Sequence, residues 1–220
     1  GIGHTEFKDT KIGRIPKDWE VEILEFFGDG KQGLRRGPFG GALKKEIFVS
    51  DGYLVYEQQN AIYKDFNRGR YYVNEEKYNE MSAFQVKPND LIVSCSGTIG
   101  RIAIVPKNSK PGIINQALLR IRLKNIIDRK FFYYLWFSKP VQNKVLDMTQ
   151  GSTMKNIVGM STLRKTKLIL PPLPEQQKIA AILSEADAKI EKEQTQKSQL
   201  EALKKGLMQQ LLTGKKRVTV

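Results

Sequence analysis

The two residue types that build many metal sites and catalytic dyads are nearly absent from this chain. Its 220 residues include one cysteine, Cys95, and one histidine, His4. A single cysteine excludes an intramolecular disulfide and a thiolate zinc cluster. A single histidine, in an N-terminal stretch that we expect to be a trimmed product or a cloning remnant, excludes a multi-histidine metal site and a histidine-dependent triad. We therefore predict no metal, no cofactor and no catalytic residue.

Long apolar runs are missing as well. The longest are short pieces such as Ile102 to Val105, whereas crossing a bilayer takes roughly 18 consecutive apolar residues. This pattern favours a cytoplasmic protein that makes no contact with a membrane.

Acidic residues are outnumbered by basic ones. Lys and Arg total 37 against 23 Asp and Glu, which gives a net charge of +14 and a pI near 9.7. Residues 1–173 carry 28 of the basic and 17 of the acidic residues, so a net +11 belongs to this part. A surplus of that size favours a polyanionic partner such as nucleic acid, and a basic but merely solvated surface is the alternative.

The chain changes in character at LILPPLPEQQ, Leu168 to Gln177. Before it, short runs bounded by Gly, Pro, Asn or Asp predict strands, and two longer stretches predict helices. The predicted strands are Tyr53–Tyr56, Leu91–Ser96, Ile99–Val105, Ala117–Leu123 and Lys167–Leu170. The predicted helices are Asn74–Phe84 and Asp128–Met148, and the predicted loops are Phe39–Glu46, Phe66–Tyr72 and Gln150–Val158.

One long helix is predicted after this segment. Between Pro174 and Leu212 there is no further proline and one glycine, Gly206. Pro174 suits the first helical turn, and Glu175 suits the positive end of the helix dipole. The fold class is therefore α+β, with a mixed α/β domain over residues 1–172 and a long coiled-coil helix with a basic tail over residues 173–220.

The apolar positions of this helix predict a seam that needs a partner. Its first half steps by four, three and four residues, as a coiled coil does, and its second half departs from that alternation. We predict antiparallel homodimerisation through this seam, and a helix folded back over its own domain is the alternative. The predicted interface residues are Ile179, Leu183, Ala186, Ile190, Leu200, Leu203, Leu207 and Leu211.

Several segments, in order, resemble the specificity subunits of type I restriction-modification systems. The strongest is LPPLPEQQKIAAIL (Leu170–Leu183) followed by LEALKKGLMQQLLTGKKRV (Leu200–Val218), which resembles the conserved spacer helix of that family. Other segments resemble its recognition domain, namely DTKIGRIPKDWEV (Asp9–Val21), SGTIGRIAIV (Ser96–Val105), INQALLRIRL (Ile114–Leu123) and GSTMKNI (Gly151–Ile157).

The resemblance implies a DNA target-recognition domain that reads one half of a bipartite double-stranded site. It also implies that methyltransferase subunits, and through them restriction subunits, dock on the helix. Complete subunits of the family have two such halves, whereas this chain has one. Either it is a half-subunit that pairs with itself or it is an excised half.

Three segments, Gly33–Gly41, Glu57–Tyr72 and Gln150–Asn156, are the best suited to contact DNA, because they combine cations, amides and glycines. Arg suits guanine, Asn and Gln suit adenine, and glycines let the backbone approach a partner. Gly97 and Gly100 favour a tight turn instead, and Asn115 and Gln116 suit either a turn or DNA. The predicted DNA-binding residues are Lys31, Arg35, Arg36, Gln58, Gln59, Asn60, Lys64, Asn67, Arg68, Arg70, Ser152, Thr153, Lys155 and Asn156.

Two further functions stay open at this point. One is a recognition fragment of a fused restriction and methyltransferase enzyme, and the other is a coiled-coil interaction protein without catalytic activity. The methyltransferase loop pattern of Asn or Asp before Pro-Pro is missing, since Pro171 and Pro172 follow Leu170. No glycine-rich segment has the strand and helix context of a nucleotide fingerprint.

Overall fold

The computed structural model describes residues 3–146 and 159–218, and it divides the chain into two compact units, Gly1–Gln177 and Lys178–Val220. The first unit mixes short strands and helices, and the long helix predicted at the C-terminal end is present. The predicted α+β class is therefore confirmed.

The strands of the described residues are β1 (Phe7–Thr10), β2 (Gly13–Pro16), β3 (Glu20–Ile23), β4 (Leu34–Arg36), β5 (Tyr53–Tyr56), β6 (Tyr72–Val73), β7 (Gln85–Val86), β8 (Leu91–Ser94), β9 (Ile102–Ile104), β10 (Gly112–Ile114), β11 (Leu118–Ile121) and β12 (Lys167–Leu170).

Most helices of the first unit are short. The helices are α1 (Leu24–Phe27), α2 (Gln58–Tyr63), α3 (Glu75–Glu80), α4 (Arg129–Trp136), α5 (Lys139–Leu146), α6 (Met160–Arg164) and α7 (Leu173–Leu211), with 3₁₀ turns at Gly30–Gln32, Gly40–Leu43, Lys45–Ile47 and Ser82–Phe84.

Two four-stranded sheets form the centre of the first unit. One has the order β6-β5-β10-β7, with β5 and β10 parallel, and the other has the antiparallel order β4-β11-β8-β9. A two-stranded sheet joins β3 to β12, and β1 pairs with β2 in a hairpin. The pairing of β3 with β12 brings the start of the chain to the strand that precedes α7.

One hydrophobic cluster takes residues from both four-stranded sheets. Leu54 and Ile114 come from the first sheet, Ile92 and Leu118 come from the second, and Ala61 of α2 packs with them. These side chains alternate with others along their strands, since successive residues of a strand face opposite sides. The opposite side of the first sheet is also buried, and its cluster is Val55, Val73, Met81 and Ile113.

Two arginines near the end of β11 are partly or fully buried, Arg120 within the strand and Arg122 directly after it. Arg122 forms an ion pair with the buried carboxylate of Asp90, at 2.7 and 2.8 Å. Arg120 is fully buried and donates to the backbone oxygens of Gln85 and Gln32, at 2.5 and 2.8 Å. Burial lowers the pKa of Arg120 to about 10, because removal from water disfavours the charged guanidinium.

The predicted helix Asp128–Met148 is interrupted in the structure. Its described part forms α4 and α5, which are separated at Phe137 and Ser138. Pro140 explains the break, because proline has no N–H to donate to the carbonyl of Trp136. The side-chain amide of Gln142 donates to that oxygen instead, at 2.7 Å.

Other predicted elements differ in length rather than in kind. The strand predictions over β5 and β12 are confirmed residue for residue, and those over β8, β9 and β11 are too long by one or more residues at their ends. Asn74 accepts a hydrogen bond from Lys77 N and caps α3, which ends at Glu80 before a 3₁₀ turn. Seven short strands were not predicted, because two to four residues carry too little periodicity. The loop predicted over Gln150–Val158 lies outside the described residues.

The start of α7 is tied to the first unit by two polar side chains of the motif LPEQQ. Gln176 is 1% exposed; its amide donates to the oxygens of Ile126 and Pro171, and its oxygen accepts from Asp128 N. Glu175 accepts from Trp19 Nε1 at 2.8 Å and lies 2.5 Å from His4 Nε2. This part of the motif therefore has a structural role.

The second unit consists of the remainder of α7 and the residues that follow it. The whole helix has 39 residues, which corresponds to about 58 Å. The apolar residues of its C-terminal half are uncovered, among them Leu200, Leu203, Leu207 and Leu211. No helix in the described ranges combines the length and the hydropathy that crossing a bilayer requires.

Candidate nucleic-acid interface

A turn between β10 and β11 brings several chain segments of the first unit together. Asn115 Oδ1 accepts from Ala117 N at 3.0 Å, which forms the turn. Asn115 N donates to Tyr56 O at the end of β5, and Cys95 N donates to Ala117 O after the end of β8. Asn115 thus forms the turn that was one of its two predicted roles. We call this meeting point of residues 115–117, 36–37, 56–57 and 95 the junction.

The segment after β4 joins the junction through a close backbone approach. Gly37 N donates to Leu118 O at 2.8 Å, and Arg36 Nε donates to Gln116 O at 3.1 Å. A Cβ atom on Gly37 would lie 1.8 Å from Asn115 O, so only glycine fits there. The glycine-rich composition of this segment therefore serves the contact between two backbone segments.

Replacing Gly37 by Ala is expected to lower the stability of the protein. Both clashing groups are backbone, so relief requires the β4 segment to move away from the turn, at a cost of about 1–3 kcal/mol. The unfolding temperature should fall by about 2–4 °C for each kcal/mol of stability that is lost. The matched control is Gly206→Ala, because a Cβ there meets nothing within 4 Å. That control should leave the stability unchanged or raise it. Equal unfolding temperatures for Gly37→Ala and the unmodified chain would contradict this prediction.

Arg35 and Arg36 were predicted together but face opposite sides of β4. The guanidinium of Arg36 lies 5.8 Å from the ring centre of Phe39, and that ring is 74% exposed. Arg35 is opposite the buried Arg120 and lies 5.9 Å from the ring of Phe84. Arg36 is therefore the one of the two that lies against the junction turn.

The predicted amides of α2 are less available than the sequence indicates. Asn60 is 2% exposed; its amide donates to the oxygens of Asp65 and Arg68, and its oxygen accepts from Glu57 N. Asn60 therefore serves the fold, and we leave it out of the proposed interface. Gln58 and Gln59 are half-buried in the first turn of the same helix.

The end of α2 and the loop that follows it present cations and an aromatic ring to solvent. Lys64 Nζ donates to Tyr133 OH at 2.6 Å, and Arg68 lies 5.5 Å from the centre of the Tyr63 ring, which is 64% exposed. Asn67 is exposed, and its backbone N–H is held by Asp65 Oδ1. Arg70 is exposed and forms an ion pair with Glu57, the residue that follows β5.

The remaining predicted DNA-binding residues are not at the junction or are not described. Lys31 lies in a 3₁₀ turn and lines a small polar cavity with Glu25, Leu34 and Arg164. The third predicted segment, with Ser152, Thr153, Lys155 and Asn156, falls outside the described residues.

Two exposed aromatic residues near the cations were not predicted, namely Phe39 and Tyr63. An aromatic side chain uncovered beside an arginine is suited to stacking or apolar contact with nucleotides. The exposure of Phe39 could have been predicted from the sequence, because Phe39 is the one large apolar residue in the glycine-rich stretch GPFGG. Tyr63 had none, since its exposure depends on how α2 packs.

The SGTIG segment between β8 and β9 forms a turn, as predicted. Gly97 and Gly100 have φ angles of +63° and +79°, which disfavour other residues. Cys95 precedes this turn and is buried, and burial raises the pKa of its thiol to about 12. Among residues 3–146 and 159–218, no group of three His, Cys, Asp or Glu is placed to hold a metal ion.

Comparison with known proteins identifies the family of this chain. Residues 40–202 match the type I restriction modification DNA specificity domain. The chain is 31% identical over 201 residues to the type I restriction enzyme MjaIX specificity subunit of Methanocaldococcus jannaschii, and this alignment covers 90% of the chain and 45% of that relative. It is 33% identical over 217 residues to the putative MjaX specificity subunit of the same organism, covering 98% of the chain and 47% of that relative. The chain thus spans about half the length of these relatives.

Solved structures agree on the fold. A chain from a structure of the assembly and conformational transition of the type I R-M system has a TM-score of 0.66 at 19% identity, covering 89% of this chain and 45% of that one. The HsdS subunit from Thermoanaerobacter tengcongensis has a TM-score of 0.59 at 18% identity, covering 84% and 41%. The family predicted from the ordered sequence motifs is confirmed by the match of residues 40–202 and by these relatives. This chain belongs to the family of type I restriction-modification DNA specificity domains.

Proposed function

We propose that this chain recognises one half of a bipartite site in double-stranded DNA for a type I restriction-modification system. Residues 1–172 act as the target-recognition domain, and residues 173–220 act as the spacer helix on which methyltransferase subunits dock. Restriction subunits join through the methyltransferase, and the complex works in the cytoplasm, where it meets its DNA.

The junction is the observation that carries the DNA-binding part of this proposal. Its turn joins Arg36 and the exposed Phe39 on one side to the region of Glu57 on the other. The cationic loop after α2 follows that second side, with Lys64, Arg68 and Arg70 exposed. Exposed cations for phosphates, beside positioned donors for bases, are what a DNA reader needs.

Binding of the chain to duplex DNA is expected to weaken steeply as salt is added. The physical reason is the release of counterions from phosphates, with a log–log slope of about −0.9 for each phosphate neutralised. About four contacts would lower the affinity about 100-fold between roughly 50 and 200 mM salt. Fluorescence anisotropy with a labelled duplex measures this slope.

Alanine variants locate the contacts that produce the slope. Arg36→Ala and Arg68→Ala should each make the slope shallower by about 0.9 or relax one base preference. Arg14→Ala is the control, because Arg14 is an exposed arginine of the β1–β2 hairpin that stands over the ring of Phe7. An affinity that stays flat with salt would contradict DNA binding, and a control as damaging as the two variants would place the DNA face elsewhere.

For the helix we propose self-association as well as methyltransferase docking. Ile179 of the predicted seam is half-buried, and the other apolar residues of the seam are exposed in both halves of α7, from Leu183 and Ile190 to Leu207 and Leu211. Lys204, Met208 and Leu212 line a groove together with leucines of the second half. Exposed apolar stripes of this kind normally mark an interface. An antiparallel pair would lay the Ile179 end of one helix against the Leu207 end of its partner and restore the two halves of a complete subunit.

A further inference from the structure

The guanidinium of Arg70 is held in one orientation by Glu57 and Tyr71. Arg70 Nε donates to Glu57 Oε2 at 3.0 Å, and Arg70 Nη2 donates to Glu57 Oε1 at 2.8 Å. The same guanidinium lies 5.1 Å from the centre of the Tyr71 ring. Two parallel hydrogen bonds and a ring contact fix a planar group far better than a single ion pair does.

Glu57 is itself held by the start of α2. Its side chain is 17% exposed and accepts from the backbone N–H of Asn60 in a capping box, while Glu57 N donates to Asn60 Oδ1 at 2.8 Å. The Asn60 amide is in turn bonded to two backbone oxygens of the following loop. The buried amide of Asn60 therefore holds Glu57 in place, and Glu57 in turn holds Arg70. Asn60 contributes to the orientation of Arg70 although it does not face solvent.

The pairing with Glu57 uses only part of the hydrogen-bonding capacity of Arg70. A guanidinium has five N–H groups, and Glu57 takes Nε–H together with one hydrogen of Nη2. Among the described residues no partner is found for Nη1 or for the second hydrogen of Nη2, and the side chain is 58% exposed. These two nitrogens form a parallel pair at the end of the fork. Such a pair matches O6 and N7 of guanine in the major groove.

We propose that Arg70 reads a guanine of the recognised half-site and that Glu57 is its positioning residue. This inference rests on the proposed DNA-recognition function and names one base of the target. A phosphate could accept the same pair of donors, but the carboxylate of Glu57 already compensates the charge of Arg70. A compensated, rigid guanidinium gains little from a phosphate and keeps its geometric match to a neutral base edge.

The test is a selection from a pool of duplexes with about 20 randomised base pairs, using the full chain together with its methyltransferase subunit. Arg70→Lys keeps the positive charge and loses the bidentate fork, so a phosphate contact would survive and a guanine contact would not. Glu57→Gln keeps an acceptor for the α2 cap, but it removes the negative charge and one of the two oxygens that accept from Arg70. Each variant should lower the preference for guanine at one and the same position by about 5- to 150-fold, which corresponds to 1–3 kcal/mol.

Controls separate this role from a structural one. Arg14→Lys makes the same substitution at an arginine that also lies over an aromatic ring, 5.0 Å from that of Phe7, and it should leave every position unchanged. Thermal unfolding of each variant checks that the domain is folded, and Arg70→Lys decides alone if Glu57→Gln unfolds. An Arg70→Lys variant with unmodified preferences at all positions would overturn the inference and indicate a phosphate contact. The absence of any preferred sequence for the unmodified protein would overturn the proposed function, and this inference with it.

Discussion

Replacing Leu203 and Leu207 together by Asp is expected to turn a helix-paired dimer into monomers with a folded recognition domain. The two side chains are 58% and 43% exposed in the single chain, so they contribute little to its own fold. In an antiparallel pair the substitution removes four buried leucines, at about 1.5–3 kcal/mol each, and places four carboxylates in the seam. A loss of at least about 6 kcal/mol raises the dissociation constant more than 10⁴-fold. Multi-angle light scattering at micromolar concentration measures the result.

The matched control for this variant is Lys205→Asp with Gln209→Asp. These residues have the same four-residue spacing, lie on the opposite side of the helix and are exposed. They carry the same helix-propensity penalty of Asp, so a dimer should persist. Two outcomes would contradict self-association through this seam. One is an unmodified chain that stays monomeric with and without methyltransferase, and the other is a dimer that the Leu203 and Leu207 substitutions leave intact.

A dimer of this kind would also constrain the DNA site. Two copies related by a two-fold axis present the same recognition domain twice, so both halves of the site carry the same sequence in opposite orientation. The expected target is therefore an interrupted palindrome. A preferred target with two different halves would instead indicate that this chain works as one half of a longer subunit.

Gln176→Ala is expected to lower the free energy of unfolding by about 2–6 kcal/mol. The substitution leaves the buried oxygen of Pro171 without its partner, at about 1–3 kcal/mol, and it removes two part-buried hydrogen bonds, with Asp128 N and Ile126 O, at about 0.5–1.5 kcal/mol each. At this chain length each kcal/mol corresponds to about 2–4 °C in the unfolding temperature. Urea and thermal denaturation, followed by circular dichroism, measure both quantities.

The neighbouring residue supplies the control for this prediction. Gln177 has the same side chain in the same helical turn but is exposed, so Gln177→Ala should change the stability by less than about 0.5 kcal/mol. Gln176→Leu, which restores apolar volume without donors, should recover little. Equal effects at the two glutamines would show that the hydrogen bonds of Gln176 do not stabilise the domain.

The long helix and its boundaries could be predicted from the sequence alone. A stretch that holds one glycine and no further proline after Pro174 has few alternatives to a helix, and the spacing of Ile179, Leu183 and Ile190 marks one apolar side. Strands with strong β formers, such as β5 and β12, were predicted for the same reason, because the information lies within four adjacent residues. The ordered motifs likewise indicated the family before any fold was known.

Most of the candidate interface could not be predicted in this way. β4, β7 and β10 have two or three residues each, and their pairing depends on neighbours that are far apart in the chain, such as Gly112 opposite both Leu54 and Val86. The close approach of Gly37 to Asn115 is equally non-local. Sequence reasoning therefore located the cationic segments but could not tell which of their side chains would face solvent.

The amino-acid sequence by itself determined the long helix, the basic character of the first unit and the family, because each depends on composition or on local spacing. The tertiary structure decided the roles of individual polar residues. Asn60 and Arg70 are ten residues apart and looked equally suited to DNA. Asn60 is buried and makes three hydrogen bonds, whereas two donors of Arg70 have no partner among residues 3–146 and 159–218. The physical reason is that a polar side chain binds a ligand only if the fold has not already satisfied its hydrogen bonds, and the partners that satisfy them come from packing.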